Sequence, residues 1–144
     1  VKLDDGKASH GLKIFAYSLQ KTKPKSNTNV NLRINYCGNS VLYKNAIAVV
    51  VPSLMEGFGL PALEAAANNC LVLASNIKSI KEICGDDAIY FDPYDINDMA
   101  EKMKMAYLGK FDQEIIRKGL ERSKKFSWHK MAQETLKIYE NAIR

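Results

Sequence analysis

The sequence predicts an α/β domain in which helices cover both faces of a parallel sheet. Short, continuously apolar segments such as 46–51 and 71–74 alternate along the chain with amphipathic stretches of helical period. Uninterrupted apolar strands are typical of parallel sheets buried on both faces, and helices between them form the crossovers. The 144 residues suffice for one doubly wound, Rossmann-like domain and not for two, so residues 1–144 are predicted to form a single domain.

The spacing of the hydrophobic residues, together with residues typical of helix ends, predicts the helices and strands in chain order. Apolar residues at helical spacing predict a helix over 11–21, and the polar stretch 21–31 predicts a loop. The later predicted elements are a strand at 32–36, a helical turn at 41–45, strands at 46–51, 71–74 and 88–91, and helices at 61–68, 77–84, 96–108, 112–124 and 128–143. Asp95, Asp112 and Ser127 are the predicted N-caps of the last three helices. The final helix carries an apolar stripe, and we expect it to pack back across the domain edge.

Composition and charge exclude several classes of protein. Hydrophobic residues make up 47% and charged residues 26%, which indicates a globular domain rather than a disordered tail. No apolar run approaches the roughly 20 residues that span a bilayer, and no secretory signal is visible. The net charge of +5 comes from scattered basic residues at helical spacing, which indicates a solvated face. Because no nucleic-acid-binding module accompanies them, we expect no nucleic acid partner.

The cysteines and histidines predict neither disulfides nor a metal site. Cys37, Cys70 and Cys84 are odd in number, and no Cys-x-x-Cys pair occurs. His10 and His129 lie far apart in the sequence and show no metal-binding spacing. Free thiols beside apolar residues indicate a reducing compartment, so a cytoplasmic location is expected.

The segment that follows the apolar run 46–51 predicts an anion site. Gly57 and Gly59 allow unusual backbone conformations and close approach of a ligand, and Pro61 begins a helix. In open α/β sheets, ligands bind beyond the carboxyl ends of the strands, where helix N-termini suit phosphate groups. Glu56 and Glu64 flank this site. Since carboxylates repel phosphate, we expect them to accept hydrogen bonds from the ribose and donor-sugar hydroxyls of a nucleotide sugar.

A purely structural interpretation of this segment stays open on spacing alone. The two glycines would then form only a tight turn, and Glu64 would be a favourable charge in the first helical turn. A generic flavodoxin-like module would also explain a phosphate site, but it gives no reason for both glutamates.

The segment 52–65 resembles the donor-binding motif of glycosyltransferase family 4, also called group 1. The motif reads Pro-Ser-x-x-Glu-Gly-Phe-Gly-Leu-Pro-x-x-Glu-Ala, and every fixed position is met here. The similarity extends over about residues 38–143. It implies a retaining transfer of a sugar from a nucleotide sugar, without a metal, by an enzyme of two Rossmann-like domains in the GT-B arrangement. This chain resembles the second, donor-binding domain.

The resemblance also implies roles for individual residues. Glu56 would face the donor sugar and Glu64 the ribose hydroxyls. The backbone N–H groups of Phe58, Gly59 and Leu60 would contact the sugar and diphosphate. The expected donor-binding set is completed by Gly57, Gly38 and His10. Lys2 stands where the family has an arginine near the diphosphate, His10 stands where it has a lysine, and Lys7 lies nearby. Lys2, Lys7 and Glu56 are therefore the expected catalytic residues.

The resemblance further implies partners and leaves alternatives open. The expected partners are a nucleotide sugar, a saccharide or lipid-linked acceptor, and the N-terminal domain that binds the acceptor. Polysaccharide biosynthesis at the cytoplasmic membrane face, with peripheral membrane contact, fits this assignment. The polar stretch 21–31 stands where the family has another strand–helix unit, so either that unit is deleted or part of a longer chain is absent. The alternative function is a non-catalytic or degenerate nucleotide-sugar-binding domain, which would be inactive in transfer.

Overall fold

A computed structural model of the chain describes residues 14–16 and 39–143. The elements in chain order are β1 (Ile14–Ala16), α1 (Asn39–Asn45), β2 (Ala48–Val51), α2 (Leu60–Ala67), β3 (Leu71–Ser75), α3 (Lys78–Cys84), β4 (Ile89–Phe91), α4 (Ile96–Tyr107), α5 (Glu114–Ser123) and α6 (Trp128–Ala142). The four described strands form one parallel sheet in the order β1-β2-β3-β4. This arrangement confirms the predicted Rossmann-like α/β class.

The sheet is buried on both faces by helices. Successive side chains of a strand point to opposite faces, so β2 divides its valines between two cores. Val49 and Val51 pack on the side of α1, α2 and α3, in a cluster that includes Ile80. Val50 packs with Leu73 on the opposite side, which α4 and the start of α5 cover. All residues of β2 and β3 are buried, as the continuous apolar runs predicted.

The helix predicted over 11–21 is wrong at Ile14–Ala16, which form β1. Its register is parallel, with Ile14 opposite Ala48 and Ala16 opposite Val50. Ile and Phe favour extended backbone, and pairing with β2 satisfies backbone groups that a strand edge would otherwise leave free. The predicted loop at 21–31, the strand at 32–36 and the proposed missing strand–helix unit lie outside the described residues.

The caps predicted for α4 and α6 are confirmed, whereas the N-cap of α5 is Gln113, one residue after the predicted Asp112. The Asp95 side chain accepts hydrogen bonds from the N–H groups of Asn97 and Asp98, at 2.8 and 3.2 Å. The Ser127 hydroxyl accepts one from the N–H of Lys130 at 3.1 Å. Asp112 accepts one from the first residue of α5 at 2.9 Å. Each short side chain satisfies a backbone donor that a helix start leaves unpaired.

Helix α6 presents its apolar stripe to solvent. None of its residues is buried, and Trp128, Ile138 and Tyr139 are each more than 60% exposed. Its packing back across the domain edge therefore stays a prediction. Within the described ranges, no helix combines the length and apolar character needed to cross a membrane.

Candidate functional site

The loop between β2 and α2 turns sharply at Gly59. This residue has φ 96° and ψ 38°, a left-handed conformation that side chains other than glycine disfavour. Its carbonyl accepts hydrogen bonds from the N–H groups of Ala62 and Leu63, at 3.0 and 3.3 Å, and thereby starts α2. Pro61 lies in the first turn, as predicted. Gly57 has no such φ, and a Cβ placed there would meet no atom within 4 Å. Only Gly59 therefore needs glycine for its conformation.

Three consecutive backbone N–H groups lie where α2 begins. Among the residues that the structure describes, the N–H groups of Phe58, Gly59 and Leu60 donate no hydrogen bond. Gly59, the N-cap, offers no side-chain cap, so nothing described competes with an incoming anion for these donors. Free donors at a helix start, together with its positive dipole end, favour a phosphate or diphosphate.

Glu56 lies beside an open hollow at the carboxyl ends of β2 and β3. The hollow has a volume of about 350 Å³, which is within the range of small-molecule sites. It is lined by the loop residues Leu54, Met55 and Glu56 and by the residues Ile77, Lys78, Ser79 and Glu82 in and before α3. The hydroxyl of Ser53, which is 5% exposed, donates to Glu56 Oε1 at 2.7 Å. This bond holds the carboxylate at the rim without neutralising it.

Glu64 lies on the other side of the start of α2. Its side chain is exposed, and it is not among the residues that line the hollow. The hydroxyl of Tyr43, from α1, donates to Glu64 Oε2 at 2.9 Å. Neither Glu56 nor Glu64 forms an ion pair with another described residue. The two carboxylates therefore have different neighbours: Glu56 lines a hollow with residues of α3, and Glu64 accepts a hydrogen bond from α1.

The ring of Phe58 packs against Phe126, the residue before the predicted cap of α6. The ring centroids lie 5.9 Å apart at an interplanar angle of 84°, an edge-to-face pair. This contact ties the glycine turn to the segment between α5 and α6. Sequence reasoning identified Phe58 only through its backbone and did not identify Phe126 as its partner.

The sequence analysis also did not identify two further residues of the site, Tyr43 and Ser53. Ser53 lies three residues before Glu56, so a local hydrogen bond could have been foreseen from the sequence. Tyr43 is 21 residues from Glu64, and only the packing of α1 against α2 brings them together. Four of the predicted site residues, Lys2, Lys7, His10 and Gly38, lie outside the described residues.

The two described cysteines are poor candidates for a catalytic nucleophile. Burial raises the pKa of the Cys70 and Cys84 thiols to about 11, so both are protonated at neutral pH and poor nucleophiles. In the part of the chain that the structure describes, no cluster of three His, Cys, Asp or Glu side chains could hold a metal ion.

Comparison with known proteins gives one family. A family model described as "Glycosyl transferases group 1" matches residues 9–123. O-antigen chain mannosyltransferase B of Escherichia coli is 35% identical over 100 residues, which are 69% of this chain and 26% of that protein. The serotype-specific mannosyltransferase WbdA of Escherichia coli is 41% identical over 88 residues, 60% of this chain and 11% of that protein.

A third relative comes from another organism. The MMP alpha-(1->4)-mannosyltransferase of Mycolicibacterium hassiacum is 32% identical over 114 residues, covering 72% of this chain and 26% of that protein. This chain thus spans about a quarter or less of the length of these relatives. The matched residues include the whole glycine turn and both flanking glutamates, and the chain belongs to the group 1 family of glycosyl transferases.

Proposed function

We propose that this chain is the donor-binding half of a retaining glycosyltransferase, and that it binds a nucleotide sugar across the start of α2. One observation carries the proposal: two solvent-accessible carboxylates, Glu56 and Glu64, flank the N–H groups of the glycine turn, which donate no bond within the described residues. A diphosphate between two sugars has the matching pattern of one anion between two groups of hydroxyls.

Each part of the site would act on a different part of the donor. The free N–H groups would hold the diphosphate and stabilise the negative charge that grows as the bond to the anomeric carbon breaks. Glu56 would accept hydrogen bonds from the transferred sugar beside the hollow, and Glu64 from the ribose hydroxyls. The new bond would form to an acceptor hydroxyl with the anomeric configuration retained. Lys2, Lys7 and His10 are proposed as further contacts to the diphosphate, and the proposal includes no metal.

The names of the relatives suggest which donor to test first. The three relatives are called mannosyltransferases, and the name of one adds the O-antigen chain. We therefore propose an activated mannose as the donor and a growing saccharide or lipid-linked saccharide as the acceptor. The acceptor would be held by a further domain, at the cytoplasmic face of a membrane.

Calorimetric titration of the 144-residue chain tests the donor site directly. The ligands are UDP, GDP and ADP and their mannose and glucose esters, so that base and sugar are varied separately. Each lost charge-assisted hydrogen bond is worth about 1.5–3 kcal/mol, or roughly 10- to 100-fold in affinity. We expect Glu64→Ala to weaken both the plain diphosphate and the nucleotide sugar by this factor. Glu56→Ala should weaken only the nucleotide sugar.

Glu101→Ala is the matched control, because Glu101 is an exposed glutamate of α4, outside both the hollow and the glycine turn. It should leave every affinity unchanged. Equal and small effects of the two site variants, or no binding of any of these ligands by the wild-type chain, would contradict the proposal.

A further inference from the structure

Both glutamates of the site are held from the protein side by a hydroxyl whose residue is almost fully buried. Tyr43 is 3% exposed and belongs to the core cluster beneath α1 and α2. Its hydroxyl donates to Glu64 Oε2 at 2.9 Å. A carboxylate has two oxygens, and within the described residues Glu64 Oε1 accepts no hydrogen bond. The tyrosine thus holds one oxygen of an exposed side chain, and the other oxygen has no hydrogen-bond donor among the described residues.

Ser53 relates to Glu56 in the same way. It is 5% exposed at the carboxyl end of β2, and its hydroxyl donates to Glu56 Oε1 at 2.7 Å. Ser53 lies two residues after the fully buried strand β2. Glu56 lines the hollow, and within the described residues its Oε2 accepts no hydrogen bond. The two contacts come from different elements, α1 and the loop after β2, and they hold two different carboxylates.

Holding a long acidic side chain in one orientation has a direct consequence for binding. A free glutamate samples several rotamers, and that freedom is lost when a ligand immobilises it. A carboxylate already fixed by a buried donor has lost much of this freedom before the ligand arrives. A hydroxyl donor also fixes the orientation of the carboxylate while leaving its negative charge intact, which an arginine or lysine partner would offset.

We propose that Tyr43 and Ser53 are positioning residues of the donor site, with Tyr43 orienting Glu64 for the ribose and Ser53 orienting Glu56 for the transferred sugar. This inference rests on the proposed function. Each residue acts through its own glutamate, so the two should affect different ligands. Loss of Tyr43 should weaken every ribonucleotide ligand, and loss of Ser53 should weaken only those that carry the sugar.

The test uses Tyr43→Phe and Ser53→Ala, which remove only the hydroxyl groups. The probes are the nucleoside diphosphate of the base preferred by the wild-type chain, its 2′,3′-dideoxy analogue and its nucleotide sugar. We expect Tyr43→Phe to weaken the ribonucleotide by about 2- to 10-fold, the range for one side chain that must be newly immobilised. It should leave the dideoxy analogue unaffected. Ser53→Ala should weaken only the nucleotide sugar, by a similar factor.

Two further comparisons separate positioning from a general structural role. In the Glu64→Ala background, Tyr43→Phe should have no additional effect on affinity, because its target is gone. Matched controls are Tyr90→Phe, whose hydroxyl donates to the Gly85 carbonyl at 2.6 Å, and Ser123→Ala, whose hydroxyl donates to the Leu120 carbonyl at 2.7 Å. Both controls remove a comparable hydroxyl away from the site, and neither should change any affinity.

The possible results distinguish this inference from the function on which it rests. If Glu64→Ala and Glu56→Ala leave binding unchanged, the proposed function is wrong. If those variants weaken binding but Tyr43→Phe and Ser53→Ala do not, the function stands and the positioning roles are overturned. Equal losses for the ribonucleotide and its dideoxy analogue would also overturn the role of Tyr43.

Discussion

The two glycines of the turn make a matched pair for testing how this site is built. Gly59 has φ 96°, whereas Gly57 lies outside the positive-φ region. A Cβ on Gly59 would lie 3.4 Å from Ile80 Cγ1, an ordinary contact distance, so the cost of Gly59→Ala comes mainly from the backbone. Forcing an L side chain into the left-handed region costs about 1–2 kcal/mol. We therefore expect Gly59→Ala to lower the free energy of unfolding by that amount.

Gly57→Ala should behave differently. Its added methyl group would meet no protein atom within 4 Å, so we expect a change in stability of less than about 0.5 kcal/mol. Because Gly57 directly precedes the residues whose N–H groups would hold the diphosphate, we expect the methyl group to hinder the approach of the ligand. Binding of the nucleotide sugar should therefore weaken in Gly57→Ala although the fold is intact.

Urea unfolding followed by circular dichroism at 222 nm measures the stability of both variants, and calorimetry measures their affinity for the donor. The wild-type chain is measured in parallel at the same protein concentration. The reasoning would be refuted if Gly59→Ala were as stable as the wild type. It would also be refuted if Gly57→Ala were destabilised as strongly as Gly59→Ala, because the two backbone conformations would then not account for the difference.

Three other predictions concern the scaffold around the site. Asp95→Ala removes the cap of α4 and should lower the free energy of unfolding by about 1 kcal/mol in urea titrations, with Asp95→Asn restoring most of it. Arg122 Nε donates to Asp87 Oδ2 at 2.5 Å, and Arg122→Ala leaves that carboxylate, whose side chain is 11% exposed, without this partner. We expect the free energy of unfolding in urea to fall by about 1–3 kcal/mol. An unchanged urea midpoint would contradict this prediction. Burial raises the pKa of Cys70 and Cys84 from 9.0 to about 11, so their contribution to stability is complete below pH 9 and is lost as the pH rises through 11. Urea midpoints at pH 7.5 and 10.5 should show this fall, and a Cys84→Ala variant should show a smaller one.

The exposed stripe of α6 illustrates a limit of pattern reasoning. The apolar period from Trp128 onward correctly predicts a helix, and the Ser127 cap correctly predicts where it begins. The pattern also predicts that the stripe is covered, but no residue of α6 is buried. Periodicity reports that one face is apolar and carries no information on which surface covers it.

Residues 14–16 show a different limit, because here the type of element predicted from the pattern is wrong. The apolar residues within 11–21 recur at helical spacing, yet Ile14–Ala16 form a strand that pairs with β2. A segment of three apolar residues is too short to distinguish the helical period from the strand period, and the outcome depends on whether a strand edge is available nearby. That edge belongs to residues more than thirty positions away in the chain.

The sequence by itself determined the glycine turn, the start of α2 and the two carboxylates beside it. Glycine and proline act on their own backbone, and the spacing of Glu56 and Glu64 follows from one short segment, so nothing distant is needed to predict them. Only the tertiary structure decided which residue holds Glu64 and which elements surround Glu56. The contact between Tyr43 and Glu64 joins two helices, and the hollow beside Glu56 exists because α3 packs next to the loop that follows β2. Such contacts arise from packing between elements, which local sequence patterns do not encode.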